Sequence, residues 1–350
     1  MPTIVLTGGG TAGHCTPNLA LIPYLRKHFD KIFYFGSENG IERNIVEKEN
    51  LPYFSIPCAK LNRSITLKNF TIPFKLFSGI INSGNILDKI KPAVVFSKGG
   101  YVAVPTVIAA KNRNIPVIAH ESDFTIGLAN KITSRYCKKV LTSFPETALS
   151  LKNGEYVGPP LRNELFNVNK NKALKLLGFN GQKPILLVTG GSLGAQKINN
   201  IIRESLDELL PNFDILHICG KNNLINSNTH KGYVQIEFLN DIQYAFAISD
   251  VCVTRAGSNT LFELMCLRKP CVLIPLPKGT SRGDQIFNAN YFQKLGLATT
   301  LSQNILTKQS LVFAVNSIYA NRFNLSRNFD KNPIHNASEK ISSIISDYIR

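Results

Sequence analysis

Val5-Leu6-Thr7-Gly8-Gly9-Gly10-Thr11-Ala12-Gly13 and Val188-Thr189-Gly190-Gly191-Ser192-Leu193-Gly194-Ala195 repeat one pattern in the two halves of the chain. Each is a short β-rich run that stops at a glycine pair, passes a hydroxyl residue and a further glycine, and leads toward a helical stretch. A strand feeding a helix through a glycine turn is the opening of an α/β unit. Two such openings predict two similar α/β units in one chain, and 350 residues accommodate two domains of ordinary size.

Working outward, the first half continues the alternation. Asn18–His28 reads as a helix, Lys31–Phe35 as a second strand, and Ala93–Ser97 and Val117–His120 as further strands, with a helical stretch at Val104–Asn112. In the second half Lys183–Thr189, Asp214–Cys219, Asp250–Thr254 and Cys271–Pro275 read as strands, and about Gln196–Leu210 as a helix. Strands alternating with helices imply parallel sheets covered on both faces. Val157-Gly158-Pro159-Pro160 continues neither element type and reads as the linker. Ala337–Ile349 is amphipathic, with Ile341, Ile344, Ile345 and Ile349 at helical spacing, and is expected to pack back on the first domain. The expected division is 1–158, 159–332 and a C-terminal helix at 333–350.

A glycine turn before a helix aims backbone N–H groups at the positive end of the helix dipole, which suits phosphate. Gly8, Gly10 and Gly13 satisfy G-x-G-x-x-G. A dinucleotide site also needs an acid at the end of the second strand. That strand ends at Phe35-Gly36-Ser37, and only Glu38 is near. The second loop lacks the three-glycine spacing, and neither loop ends in the G-K-[ST] of a P-loop. A third glycine turn, Ser97-Lys98-Gly99-Gly100-Tyr101, follows a strand of the same sheet and offers Lys98 to a phosphate.

Composition narrows the partners. Hydrophobic residues make up 44% and charged residues 18%, which is globular, and the net charge of +17 points to a polyanionic partner. No helix-turn-helix, RRM, KH or zinc pattern appears, so nucleic acid is not expected. The seven cysteines form no C-x-x-C pair, which argues against a zinc site or a secreted disulfide framework. No signal peptide and no membrane-spanning run is read from the sequence. Between Lys60 and Lys91, Lys60, Arg63, Lys68, Lys75, Lys89 and Lys91 oppose Asp88 alone. They interleave with Leu61, Ile65, Leu67, Phe70, Ile72, Phe74, Leu76, Phe77, Ile80 and Ile81, the mixture of a peripheral membrane surface.

Eight segments taken in order resemble the MurG family of transferases. They are Gly9-Gly10-Thr11-Ala12-Gly13-His14, Lys98-Gly99-Gly100-Tyr101, His120-Glu121-Ser122-Asp123, Gly127-Leu128-Ala129-Asn130-Lys131, Gly158-Pro159-Pro160-Leu161-Arg162, Gly190-Gly191-Ser192-Leu193-Gly194-Ala195, Arg255-Ala256-Gly257-Ser258-Asn259-Thr260-Leu261-Phe262-Glu263, and Gly283-Asp284-Gln285 with Asn288-Ala289. They span nearly the whole chain. The family departs here in small ways: Ala12 stands where glycine is common, Asp123 where some members carry Asn, and Leu193 where Gln is frequent.

The resemblance implies a GT-B glycosyltransferase fold, two Rossmann-like α/β domains facing across a cleft. It implies that N-acetylglucosamine passes from its UDP donor to the 4-hydroxyl of N-acetylmuramic acid on an undecaprenyl-pyrophosphoryl pentapeptide (lipid I), giving lipid II. UDP-GlcNAc would sit mainly on the second domain. Ser192 and Arg162 would meet its diphosphate, Leu239 the uracil, and Ser258, Asn259, Thr260, Leu261 and Phe262 the nucleotide. Glu263 would take the ribose hydroxyls and Gln285 those of the sugar. Thr11, Ala12, Gly13 and Asp123 would approach the donor from the first domain. Gly10, Gly13, Lys98, Gly99 and Gly100 would hold the acceptor's diphosphate.

The reaction so implied is an inverting single displacement. His14 leads as the general base, because an imidazole titrates near neutrality. Glu121 is the alternative base or the partner that orients one, and His120 is read as structural. With no D-x-D pair in the chain, no metal and no cofactor are expected. The same resemblance implies a peripheral place on the cytoplasmic face of the cell membrane, at an anionic surface, with other cell-wall synthesis proteins as partners.

Overall fold

A computed structural model describes residues 2–59, 71–191, 193–225, 230–279 and 282–349, with Ala12 described by its backbone only. Residues up to Arg162 fold together with the segment from His335 onward, and Asn163–Ile334 form a second compact unit.

The first unit runs β1 (Thr3–Thr7), α1 (Ala12–Leu25), β2 (Lys31–Gly36), α2 (Ile41–Glu47), β3 (Tyr53–Ser55), α3 (Ile72–Ile90), β4 (Val94–Ser97), α4 (Ala103–Asn112), β5 (Val117–Glu121), α5 (Leu128–Thr133), β6 (Lys139–Thr142), α6 (Pro145–Leu149) and β7 (Gly154–Tyr156). Its strands form one parallel sheet in the order β3-β2-β1-β4-β5-β6-β7. The central strands β1, β4 and β5 are buried along their whole length, as expected where helices cover both faces. Alternate residues serve opposite faces. Ile4, Leu6, Val94 and Phe96 join one core with Leu21 and Leu25 of α1. Val5 and Val95 join the other with Val107 of α4.

The second unit runs α7 (Lys170–Leu176), β8 (Ile185–Thr189), α8 (Gln196–Glu204), α9 (Leu206–Leu209), β9 (Asp214–Ile218), β10 (Tyr233–Ile236), α10 (Ile242–Ile248), β11 (Val251–Thr254), α11 (Ser258–Cys266), β12 (Cys271–Leu273), α12 (Asp284–Lys294), β13 (Ala298–Thr300), α13 (Lys308–Ala320) and α14 (Arg322–Lys331). Its parallel sheet has the order β10-β9-β8-β11-β12-β13. The last helix, α15 (Ser338–Ser346), returns to the first unit, where Ile341, Ile344 and Ile345 join the core that contains Leu21 and Leu25.

The two sheets therefore repeat one plan: a strand order that runs outward, returns past the first strand and continues on the other side. The chain is an α/β protein of two Rossmann-like units.

Several elements differ from the sequence reading. The helix read as beginning at Asn18 is α1, which starts at Ala12 and keeps both Pro17 and Pro23 inside it. A proline at position 17 forfeits the bond to the Gly13 carbonyl; the helix continues past it because Cys15, Leu21 and Leu25 bury fully against the sheet. The single helix expected over Gln196–Leu210 is two, broken at Ser205, whose hydroxyl bonds back to Ile201 O at 2.6 Å. Such back-bonding bends helices. The linker residues belong to the first unit. Pro159 O accepts from Ala337 N–H at 2.8 Å, and Leu161 N–H donates to Asn336 Oδ1 at 2.9 Å.

Candidate active site

In open α/β sheets, ligands bind beyond the carboxyl ends of the strands where the strand order reverses. In the first unit that point lies between β1 and β4, so the loops at 8–11 and 98–102 flank it. The two loops interlock. A Cβ added at Gly100 would stand 2.3 Å from the Gly9 carbonyl oxygen and 3.4 Å from His14 Cγ, so only glycine fits there. His14 occupies the first turn of α1, and its Nδ1 shares a 2.9 Å hydrogen bond with the Thr11 hydroxyl. The imidazole is half-buried; Thr11 and Gly13 are exposed.

Lys98, read from the sequence as a ready phosphate partner, is instead buried, with 2% exposure. Its Nζ donates to Ser122 Oγ at 2.5 Å. Burial pushes the ammonium down to about 8, against the pull of Glu121 and Asp123. Of the glycines that follow it, Gly99 is buried and Gly100 half-buried.

Glu121 is fully engaged. Oε1 accepts from Asp123 N–H at 3.1 Å, and Oε2 from Gly127 N–H at 2.8 Å and Asn130 Nδ2 at 3.0 Å. Burial, then the charge of Asp123, raises its pKa against the lowering effects of Lys98 and these hydrogen bonds. The carboxylate thereby ties the 122–127 loop to the start of α5. His120 is also buried. Its Nε2 bonds Gly158 O at 3.2 Å, and burial drives its pKa well below the usual imidazole value.

In the second unit the order reverses between β8 and β11. The 190–195 loop and the start of α11 flank that point. Ser192 lies outside the described residues, while Leu193 beside it is 85% exposed. A Cβ at Gly257, just before α11, would meet nothing within 4 Å, so there is room beside this turn. Ser258, in its first turn, and Glu263 are both nearly buried, at 8% and 9% exposure. Asn259 and Thr260 are half-buried. Leu261 and Phe262, expected to line a nucleotide, turn into the core at 0% and 3% exposure, and Phe262 packs edge-on against Phe292. Gln285 stands in the first turn of α12, where its side-chain oxygen accepts from Leu276 N–H at 3.1 Å. Leu239 is half-buried in the loop between β10 and α10, and Arg162 half-buried at the end of the first unit's long segment.

Two family descriptions match this chain. The N-terminal domain of glycosyltransferase family 28 covers residues 4–142, and its C-terminal domain covers residues 185–347. The chain belongs to glycosyltransferase family 28. This family-28 chain is 48% identical to a protein of Clostridium botulinum (strain 657 / Type Ba4) named UDP-N-acetylglucosamine--N-acetylmuramyl-(pentapeptide) pyrophosphoryl-undecaprenol N-acetylglucosamine transferase, with 100% of each chain covered. A protein of the same name from Clostridium tetani is 45% identical over 99% of this chain and 98% of its own. Among solved structures, Acinetobacter baumannii MurG superposes with a TM-score of 0.78 at 22% identity, covering 99% of this chain and 100% of that one. That likeness shows the shared GT-B fold.

One buried acid beside the first glycine turn escaped the sequence reading. Glu42, 0% exposed, accepts from Gly10 N–H at 3.0 Å through Oε2, and through Oε1 from Ser37 N–H at 3.0 Å and from the Ser37 hydroxyl. An acid after the second strand does exist, then, but it lies in α2 and turns back onto the glycine loop. Its signal was the expected one displaced by a few residues, and a strand-end search stops at Glu38.

Proposed function

We propose that this chain transfers N-acetylglucosamine from UDP-GlcNAc to the 4-hydroxyl of N-acetylmuramic acid in lipid I, forming lipid II. The observation that carries the reading is end-to-end identity of 48% with a transferase of that name. The two strand-order reversals, each flanked by a glycine turn and a helix N-terminus, supply two anion-friendly sites, one per unit. The donor nucleotide is assigned to the second unit. There the N-terminus of α11 suits a diphosphate, and Glu263 suits the vicinal hydroxyls of a ribose. Ser192, Leu239 and Gln285 complete that assignment within the second unit. Leu261 and Phe262 enter it as core that fixes α11.

The acceptor is assigned to the first unit. Its hydroxyl oxygen attacks the anomeric carbon, its proton passes to the His14 imidazole, and the bond to the diphosphate breaks with its electron pair leaving on UDP. Attack opposite the leaving group inverts the anomeric centre. Glu121 orients the 122–127 loop, and Lys98, next to Gly99 in the chain, adds positive charge for the acceptor's diphosphate. The exposed Phe74, Phe77 and Ile81 on α3 are assigned to the surface of the membrane that holds the acceptor. No described helix is long and apolar enough to cross a membrane.

The test is transfer of labelled N-acetylglucosamine to lipid I in mixed micelles with EDTA present. Wild type transfers. His14→Ala keeps UDP binding and loses about 100-fold or more in kcat, the usual worth of a general base. Glu263→Ala weakens UDP binding by about 10-fold or more, the loss of a charge-assisted hydrogen bond. UDP binding without any wild-type transfer would leave a nucleotide-sugar enzyme with a different acceptor.

A further inference from the structure

Glu42 has no place in the mechanism above, yet it is built into the turn that carries His14. The pocket for its carboxyl group exists because residue 9 has no side chain: a Cβ at Gly9 would lie 2.5 Å from Glu42 Cδ. From that pocket the two oxygens join three pieces of chain, the end of β2 at Ser37, the first turn of α2, and Gly10 of the glycine turn. The same turn is held from the other side. Tyr34 Oη donates to Gly8 O at 2.7 Å, and Asn18 Nδ2 donates to Thr7 O at 3.2 Å. Gly9 in turn meets Gly100, which also abuts the His14 ring.

An amide in a turn before a helix attracts an anion. Here the chain supplies its own. Resting on the transferase reading, we infer that Glu42 is a positioning residue for His14: it occupies the Gly10 amide, fixes the turn on which the base is mounted, and removes that amide from the groups able to bind the acceptor's diphosphate. Gly10 is thereby a structural member of the site. The carboxylate is suited to this because both oxygens accept. A glutamine in its place sets an NH2 group against either Gly10 N–H or the Ser37 donors, and a buried donor then faces a donor.

The experiment compares wild type, Glu42→Gln and Glu42→Asp in the full chain by single-turnover transfer to lipid I, UDP titration, and hydrogen exchange of the peptide covering residues 8–14. Glu42→Gln is expected to lower the single-turnover rate constant at least tenfold. Reaction amplitude per folded molecule and UDP affinity stay unchanged, and exchange in the 8–14 peptide quickens. Glu42→Asp recovers part of the rate. A wild-type rate constant in Glu42→Gln overturns the role. So does a reduced amplitude per total protein at an unchanged rate constant, which is the mark of a residue that only supports folding. If Glu42→Gln does not fold, Glu42→Asp carries the same comparison, and a wild-type rate constant there overturns the role. If wild type itself transfers nothing to lipid I while binding UDP, the transferase reading falls and this role falls with it.

Discussion

Lys98 places an ammonium where the sheet leaves no water to receive it. Burial lowers its pKa to about 8, with Glu121 and Asp123 resisting. The unfolded chain keeps that proton to about pH 10.4. Between these values the unfolded state binds more protons, so the contribution of Lys98 to stability rises with pH. The burial penalty is complete below about pH 8 and is relieved above it. Urea unfolding of wild type and Lys98→Met should therefore diverge with pH: from about pH 7.5 to about pH 9.5, wild type gains about 2 kcal/mol relative to the variant. A difference that stays flat would mean that Lys98 is hydrated or fully paired. Sequence alone displayed Lys98 as a loop lysine before two glycines, because it shows residue type and spacing but not which way a side chain turns. Glu42 was hidden for the related reason that its partner Gly10 is 32 residues distant. His14 drew notice as the candidate base because it follows the glycine turn, and the structure places it beside that turn, in the first turn of α1.

At the scale of elements, the strands were the most readable part. A buried parallel strand is a short, largely apolar run bounded by turn or polar residues: β1 and β8 stop at Gly8 and Gly190, β4 and β5 closely follow Pro92 and Pro116, and β11 lies between Asp250 and Arg255. The edge strands β3, β7, β10 and β13 were not singled out. They are three or four residues long and only partly buried, so no apolar run marks them. Helix limits failed where a local preference lost to packing, as at Pro17, or where a hydroxyl found a backbone acceptor, as at Ser205. The helix α15 was legible from its isoleucine spacing and has a consequence for stability. Ile341 and Ile345 are 0% exposed against the core containing Leu21 and Leu25. Truncating a fully buried isoleucine costs about 2–5 kcal/mol, including the cavity left behind. Ile345→Ala should therefore loosen the first unit. In hydrogen exchange, peptides of β1 and α1 should lose protection while those of β8 and α8 keep theirs. Equal loss in both units would show that α15 stabilises the chain as one cooperative body.

For the whole molecule, a net charge of +17 must be reconciled with an acceptor reaction at a lipid surface. Charge alone brings a basic protein toward anionic lipid but anchors it weakly, since a charged residue near the surface adds about 1 kcal/mol and salt screens it. An apolar element has to enter the interface, and α3 offers one. Phe74, Phe77 and Ile81 are 79%, 67% and 48% exposed at helical spacing, with Lys75 exposed among them. The opposite face of α3 is committed to the fold, since a Cβ at Gly79 would meet the Pro57 carbonyl and the Pro105 ring. Lys60, Arg63 and Lys68, with Leu61, Ile65, Leu67 and Phe70, lie outside the described residues. Full burial of a phenylalanine is worth about 1.5–3 kcal/mol, so losing two from a partly inserted face should weaken binding by at least about tenfold. Co-sedimentation of Phe74→Ser/Phe77→Ser with vesicles of phosphatidylglycerol and phosphatidylethanolamine should show that loss at both low and high salt, with UDP binding unchanged. Wild-type binding should weaken as salt is raised but persist. If the double variant sediments like wild type and salt abolishes all binding, the attraction is purely electrostatic and α3 does not enter the bilayer surface.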